Sequence, residues 1–145
     1  MTTLPAGTLL VRTHFGDDES WERLKTAVST PNEDDFLAVV EFVEDRAFEG
    51  MDADALIAQT PDDPDGPSVS FIADEITLAT EGWPILVMNV APRIPGIDDD
   101  TDYTPFRVIA SQLWAVENNL NLSNLDWEDF ADAVDDDGVF RDFGG

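Results

Sequence analysis

The sequence has no cysteine, one lysine and one histidine, and only seven Lys and Arg among its 145 residues. Without cysteine there are no disulfide staples, thiol nucleophiles or thiolate metal sites. A reducing cytoplasm is the location this predicts. Seven bases against 32 Asp and Glu leave a formal charge of −25. Such a field repels nucleic acid and anionic membrane surfaces at long range and attracts a basic protein or cations. Long apolar runs are also lacking. No stretch approaches the roughly 18 apolar residues of a membrane span, and Met1 to Thr8 has neither the positive nor the apolar region of a signal peptide.

The common catalytic and cofactor frames are missing too: no Gly-x-Gly-x-x-Gly after a strand, no Walker glycine loop, no Gly-x-Ser-x-Gly elbow and no His-Glu-x-x-His. An EF-hand loop centred on Gly138 would need acids at Ala133 and Gly144, and one centred on Gly66 would need them at Pro61 and Ile72. A phosphate-accepting receiver domain needs a lysine after its fifth strand, whereas the one lysine, Lys25, falls in the first helical segment. No cofactor and no metal site is therefore expected.

What remains is a chain built to fold. It is 43% hydrophobic, with nine Phe and four Trp, enough apolar surface to offset chain entropy despite the charge. Its length matches one domain, residues 1–145. Acids outnumber bases throughout: 13 to 4 over residues 1–60, 10 to 2 over 61–110 and 9 to 1 over 111–145. An even coat of this kind serves solubility. One window is denser, with Asp126, Glu128, Asp129, Asp132, Asp135, Asp136 and Asp137 between residues 126 and 137 and no base among them.

Strand and helix patterns alternate. Continuous apolar runs at 8–13 and 84–90 predict strands buried near a sheet centre, and β-branched runs at 37–43, 68–73 and 106–109 predict three more. Asp17 or Asp18 caps a helix carrying Trp21, Leu24, Ala27 and Val28 on one stripe and ending near Ser29. Short helical pieces are expected at 45–48, 52–59 and 74–79, a loop at 60–67 and the longest loop at 92–102. Two further helices follow, over 111–118, ended by Asn118 and Asn119, and over 126–134. The order predicts an α/β fold: a mainly parallel five-stranded sheet flanked by helices, with a C-terminal helical pair.

The segments LLVRTHF at 9–15 followed by Trp21, FIAD at 71–74, and above all SQLWAVENNLNLSNLDWEDFADAV at 111–134 resemble a family of small acidic bacterial proteins described as a domain of unknown function. The resemblance spans nearly the whole chain. His14 stands where the family pattern implies Asp. The resemblance implies no activity.

Two functional readings follow from the residues. In the first, the chain is a non-catalytic cytoplasmic interaction protein, an inhibitor, immunity-type or adaptor module for a basic protein. On the 126–134 helix, Trp127, Phe130, Ala131 and Val134 would face the core, leaving Glu128, Asp129, Asp132 and Asp136 to meet the partner. In the second, a small enzyme or a small-ligand- or cation-binding domain uses the carboxyl ends of parallel strands. Those ends would gather Arg12, His14 and Asp17 after the first strand, Asp74 and Glu75 after the third, and Asn89 with Arg93 after the fourth. Asp17 and Asp74 also suit helix N-caps, and a lone His14 does not make a transition-metal site.

Overall fold

The computed structural model describes residues 4–5, 7–31, 35–60, 67–90, 103–122 and 125–141. Six strands form one sheet: β1 (Leu9–Arg12), β2 (Glu41–Val43), β3 (Val69–Ala73), β4 (Pro84–Asn89), β5 (Phe106–Ile109) and β6 (Val139–Phe140), in the order β2-β1-β3-β4-β5-β6. The helices are α1 (Asp18–Val28), α2 (Ala53–Ala58), α3 (Glu75–Ala79), α4 (Leu113–Asn121) and α5 (Trp127–Ala131). Short 3₁₀ turns lie at Arg46–Phe48 and Ala110–Gln112.

The fold is α/β, but the sheet is mixed and has six strands instead of the expected five in mainly parallel order. β1 pairs in parallel with β2 and β3, and β5 with β6, whereas β4 runs antiparallel to both β3 and β5. Chain length explains the reversal. Residues 74–83 separate β3 from β4, too few for the dozen or more of a parallel crossover, so the chain turns back through Gly82 (φ 85) and Trp83 (φ 49). β6 is too short to be visible as a hydrophobic run; Gly138 (φ 79) turns the chain into it and it pairs with Arg107 and Val108.

Alternation along the strands divides the apolar residues between two faces. Leu10, Phe71, Val87, Val108 and Phe140 pack under Trp21 and Leu24 of α1, Leu113 and Val116 of α4, and Trp127 and Phe130 of α5. Leu9, Val11, Ile72 and Met88 face the other way and pack with Leu4, Phe48 and Leu56. Each such side chain contributes roughly 1.5–3 kcal/mol on burial. β1 and β4, the two runs expected near the centre, are both interior to the sheet.

Other boundaries shift for identifiable reasons. The second strand begins at Glu41 and not at 37, because the Val39 N–H donates to Glu117 Oε1 of α4 (2.7 Å) and is lost to the sheet ladder. Asn118 and Asn119 do not end α4. Their Nδ2 groups donate back to the carbonyls of Trp114 and Ala115 (2.8 Å each), which lets the helix run on to Asn121. α5 stops at Ala131, short of 134: Ala133 N–H bonds to Phe130 O, tightening the last turn, and a turn closed by Gly138 N–H on Asp135 O (2.8 Å) follows. The expected loop at 92–102, and 61–66 of the loop at 60–67, lie outside the described residues.

Candidate functional site

The chemistry-bearing residues collect in two places, the surface made by α5 with the turn after it, and the edge where β1, β3 and β5 end.

On α5, Trp127 meets Phe106 edge-on at 4.9 Å and Phe130 meets Phe140 edge-on at 5.1 Å, which fixes the helix to the core. Glu128 and Asp129 lie on its exposed side, Asp132 is its C-cap and Asp136 sits in the following turn; all four are exposed. The acids of this window have different tasks. Asp129 Oδ2 accepts the Asp126 N–H at 2.8 Å and so closes the first turn. Asp135 and Asp137 hold Arg141 at 2.8 and 2.9 Å. The Arg141 guanidinium keeps the Asp137 carboxyl below its usual 3.8, and the two acids in turn raise the pKa of Arg141. Glu128, Asp132 and Asp136 form no ion pair among the described residues.

The same census holds across the described surface: every described cation already has a carboxylate. Arg12 pairs with Asp18, Arg23 with Glu19, Lys25 with Glu22 and Glu44, Arg46 with Glu49, Arg107 with Asp74, and Arg141 with Asp135 and Asp137. Among the described residues the unpaired charge is all negative.

At the strand ends, the side chain of Arg12 is 5% exposed. Its Nε donates to the His14 carbonyl (2.8 Å), its Nη2 to Asp18 (2.6 Å), and its guanidinium lies 4.5 Å from the Phe15 ring, which Arg46 flanks at 4.9 Å. The hydrogen bond from Arg12 holds the exposed Asp18 carboxyl below 3.8. Asp17 caps α1 by accepting the Ser20 N–H at 3.0 Å. Asp74 caps α3 through the Thr77 N–H (3.0 Å) and also receives both Nη groups of Arg107. Thr77 is fully buried, its hydroxyl between Asp74 Oδ1 and the Pro84 carbonyl.

The structure thus brings Arg12, His14, Asp17 and Asp74 to one edge of the sheet. Asn89 is not among them. Because β4 is reversed, Asn89 lies opposite Val69, at the far edge. Glu75 is exposed on the first turn of α3, and Arg93 lies outside the described residues. No group of three His, Cys, Asp or Glu suited to a metal ion occurs among the described residues, and no described helix is long and apolar enough to cross a membrane.

Two residues of structural weight were missed from sequence. Arg107 had a signal, a cation between apolar Phe106 and Val108 inside a strand. Glu117 is 7% exposed and accepts from Val39 N–H and from Asn121 Nδ2 (3.0 Å). Asn121 also bonds Ser68 N–H and the Thr8 hydroxyl, both at 2.9 Å. The Glu-Asn-Asn-Leu-Asn run therefore ties α4 to the starts of β1 and β3.

A family model described as a domain of unknown function (DUF6924) matches residues 7–143. No curated protein and no solved structure matches the chain.

Proposed function

The chain belongs to the DUF6924 family, and from that premise we propose that it is a non-catalytic, cytoplasmic interaction protein, an inhibitor, immunity-type or adaptor module that binds a basic protein. One observation carries this reading: Glu128, Asp132 and Asp136 are exposed and without an ion pair among the described residues, on α5, its C-cap and the turn after it, beside the anchors Trp127 and Phe130. Unpaired carboxylates on a backbone fixed to the core attract a cationic partner at long range and speed its association. Asp129 adds its charge while retaining its role inside the helix.

The strand-end alternative, a small enzyme or ligand binder, draws less support. Arg12 is held by the His14 carbonyl and Asp18, Asp74 and Arg107 bond each other, Thr77 has no solvent access, and Asp17 closes a helix. A substrate would have to displace these bonds to be held there. Affinity capture of wild type and of the variant E128Q/D129N/D132N/D136N from the native host tests the proposal. A basic protein retained by the first and lost by the second supports it; equal retention of the same proteins by both contradicts it.

A further inference from the structure

A groove of about 440 Å³ lies between α1 and the 3₁₀ turn leading into α4, walled by Val28, Leu37, Trp83, Leu113 and Trp114. A second concavity of about 510 Å³ adjoins it along α1, sharing Ala27 and Trp83 and adding Glu19, Glu22 and Arg23. Side by side along α1, with Ala27 and Trp83 common to both, they form a two-lobed depression. Its apolar lining continues onto the surface: Phe36 stacks on Trp114 at 4.6 Å yet is 49% exposed, and Leu37 and Val39 are 36% and 73% exposed. Exposed apolar residues scattered singly mean little, but a contiguous set beside a groove marks a contact surface.

Trp83 is the centre of the depression and its backbone is unusual. It has φ 49 directly before Pro84, whereas L-residues lose about 1–2 kcal/mol in this region and a residue before proline favours extended backbone. Glycine or asparagine would make the turn with less strain. The chain instead holds an indole there, half-buried between the two concavities.

Charge decides what fits. Glu19 and Glu22 line the depression, and exposed Asp35 and Glu81 adjoin Phe36 and Gly82. Glu19 is paired with Arg23 and Glu22 with Lys25, whereas Asp35 and Glu81 form no ion pair among the described residues. An apolar trough with an acidic rim, on a chain of net charge −25, complements apolar side chains carried between cationic ones.

We propose that this depression is a docking groove for a basic amphipathic segment of a partner protein, whose apolar side chains seat against Trp83 and Trp114 while its Lys and Arg face Asp35 and Glu81. The inference rests on the reading of the chain as a binder of a basic protein and adds an apolar anchor separate from the α5 acids. The probe is a labelled synthetic peptide of leucine and lysine at helical spacing; the control replaces every leucine by serine and keeps every lysine. At low salt the leucine peptide binds wild type at least about tenfold more tightly than the control. The variants Ser111→Arg, at the exposed rim, and Leu37→Asn each erase that advantage, while E128Q/D129N/D132N/D136N retains it. Circular dichroism confirms folding of each variant, and either groove variant suffices if the other misfolds. Equal affinity of wild type for the two peptides, or an advantage retained by a folded groove variant, overturns the groove. If the two peptides bind alike and the four-acid variant weakens both, the groove fails and the acidic-surface reading stands. If neither peptide binds wild type, both fail.

Discussion

Asp74 receives Nη1 and Nη2 of Arg107 at 3.0 and 2.7 Å, a two-pronged ion pair that joins the cap of α3 to the middle of β5. Arg107 Nη1 also donates to the Pro84 carbonyl at 3.0 Å, so one side chain ties three consecutive elements, α3, β4 and β5, together. Arg107→Ala is expected to lower stability by about 1–3 kcal/mol, the outer edge of the pair being reached by solvent. Arg107→Lys recovers only part of this, since an ammonium lacks the fork. Urea unfolding of the two variants checks both statements; equal loss would mean that the fork geometry is irrelevant.

The same pair sets a pH dependence. Burial alone would raise the Asp74 carboxyl, but the bonds from Arg107 and Thr77 outweigh it and hold the group below its usual 3.8. A carboxyl depressed in the folded state contributes stability that is present above the unfolded value and is lost as pH falls through the folded one. The stability difference between wild type and Asp74→Asn is therefore full at neutral pH and shrinks below pH 3.8. Unfolding free energies measured across that range test the sign; a difference that grows on acidification contradicts it.

Trp127 is 4% exposed, and its Nε1 finds no acceptor among the described residues. Trp127→Ala is expected to cost about 3–5 kcal/mol, whereas Trp127→Phe keeps a ring against Phe106, removes the unpaired donor and costs roughly 1–2 kcal/mol. Denaturation midpoints separate the two. Equal losses would place the value of this residue in the indole nitrogen and not in packing.

Self-repulsion among the acids predicts a melting temperature that rises between about 10 mM and 500 mM NaCl, because screening favours the more compact, more densely charged folded state. The ion pairs are weakened by the same salt, but they are outnumbered. A melting temperature that falls or stays level across the titration would show that the paired charges dominate. Near pH 4, as the carboxylates protonate, aggregation is expected, and light scattering records it.

Much of the framework was legible in local pattern. The apolar runs of β1 and β4, the stripe of Trp21, Leu24 and Val28, and the caps Asp17 and Asp74 all follow from rules acting over a few residues. The errors came where distant partners decide. The direction of β4 depends on a connection too short to cross over, the start of β2 on a buried carboxylate 78 residues away, and the length of α4 on asparagines that bond backward instead of capping. The candidate sites fared in the same way. The exposure of Glu128 and Asp129 followed from helical spacing, whereas Asp132 and Asp136 are exposed at the C-cap and in the turn beyond a helix that ends at Ala131, and the convergence of Asn89 with Arg12 and Asp74 required a parallel β4. The groove around Trp83 was not legible, because its walls come from α1, the 35–40 segment, the β3–β4 turn and the start of α4.

If the acids of α5 and its turn recruit a basic partner, its association is steered by charge and slows as salt is added. The most direct measurement is the stopped-flow association rate of the captured partner with wild type and with E128Q/D129N/D132N/D136N over a series of salt concentrations. Asn at 129 keeps an oxygen to accept the Asp126 N–H, so the helix start survives the change. The variant is expected to fold as well as wild type, to associate more slowly at low salt and to show a flatter salt dependence. An unchanged association rate with an unchanged salt slope would contradict it and leave these acids as a solubilising coat.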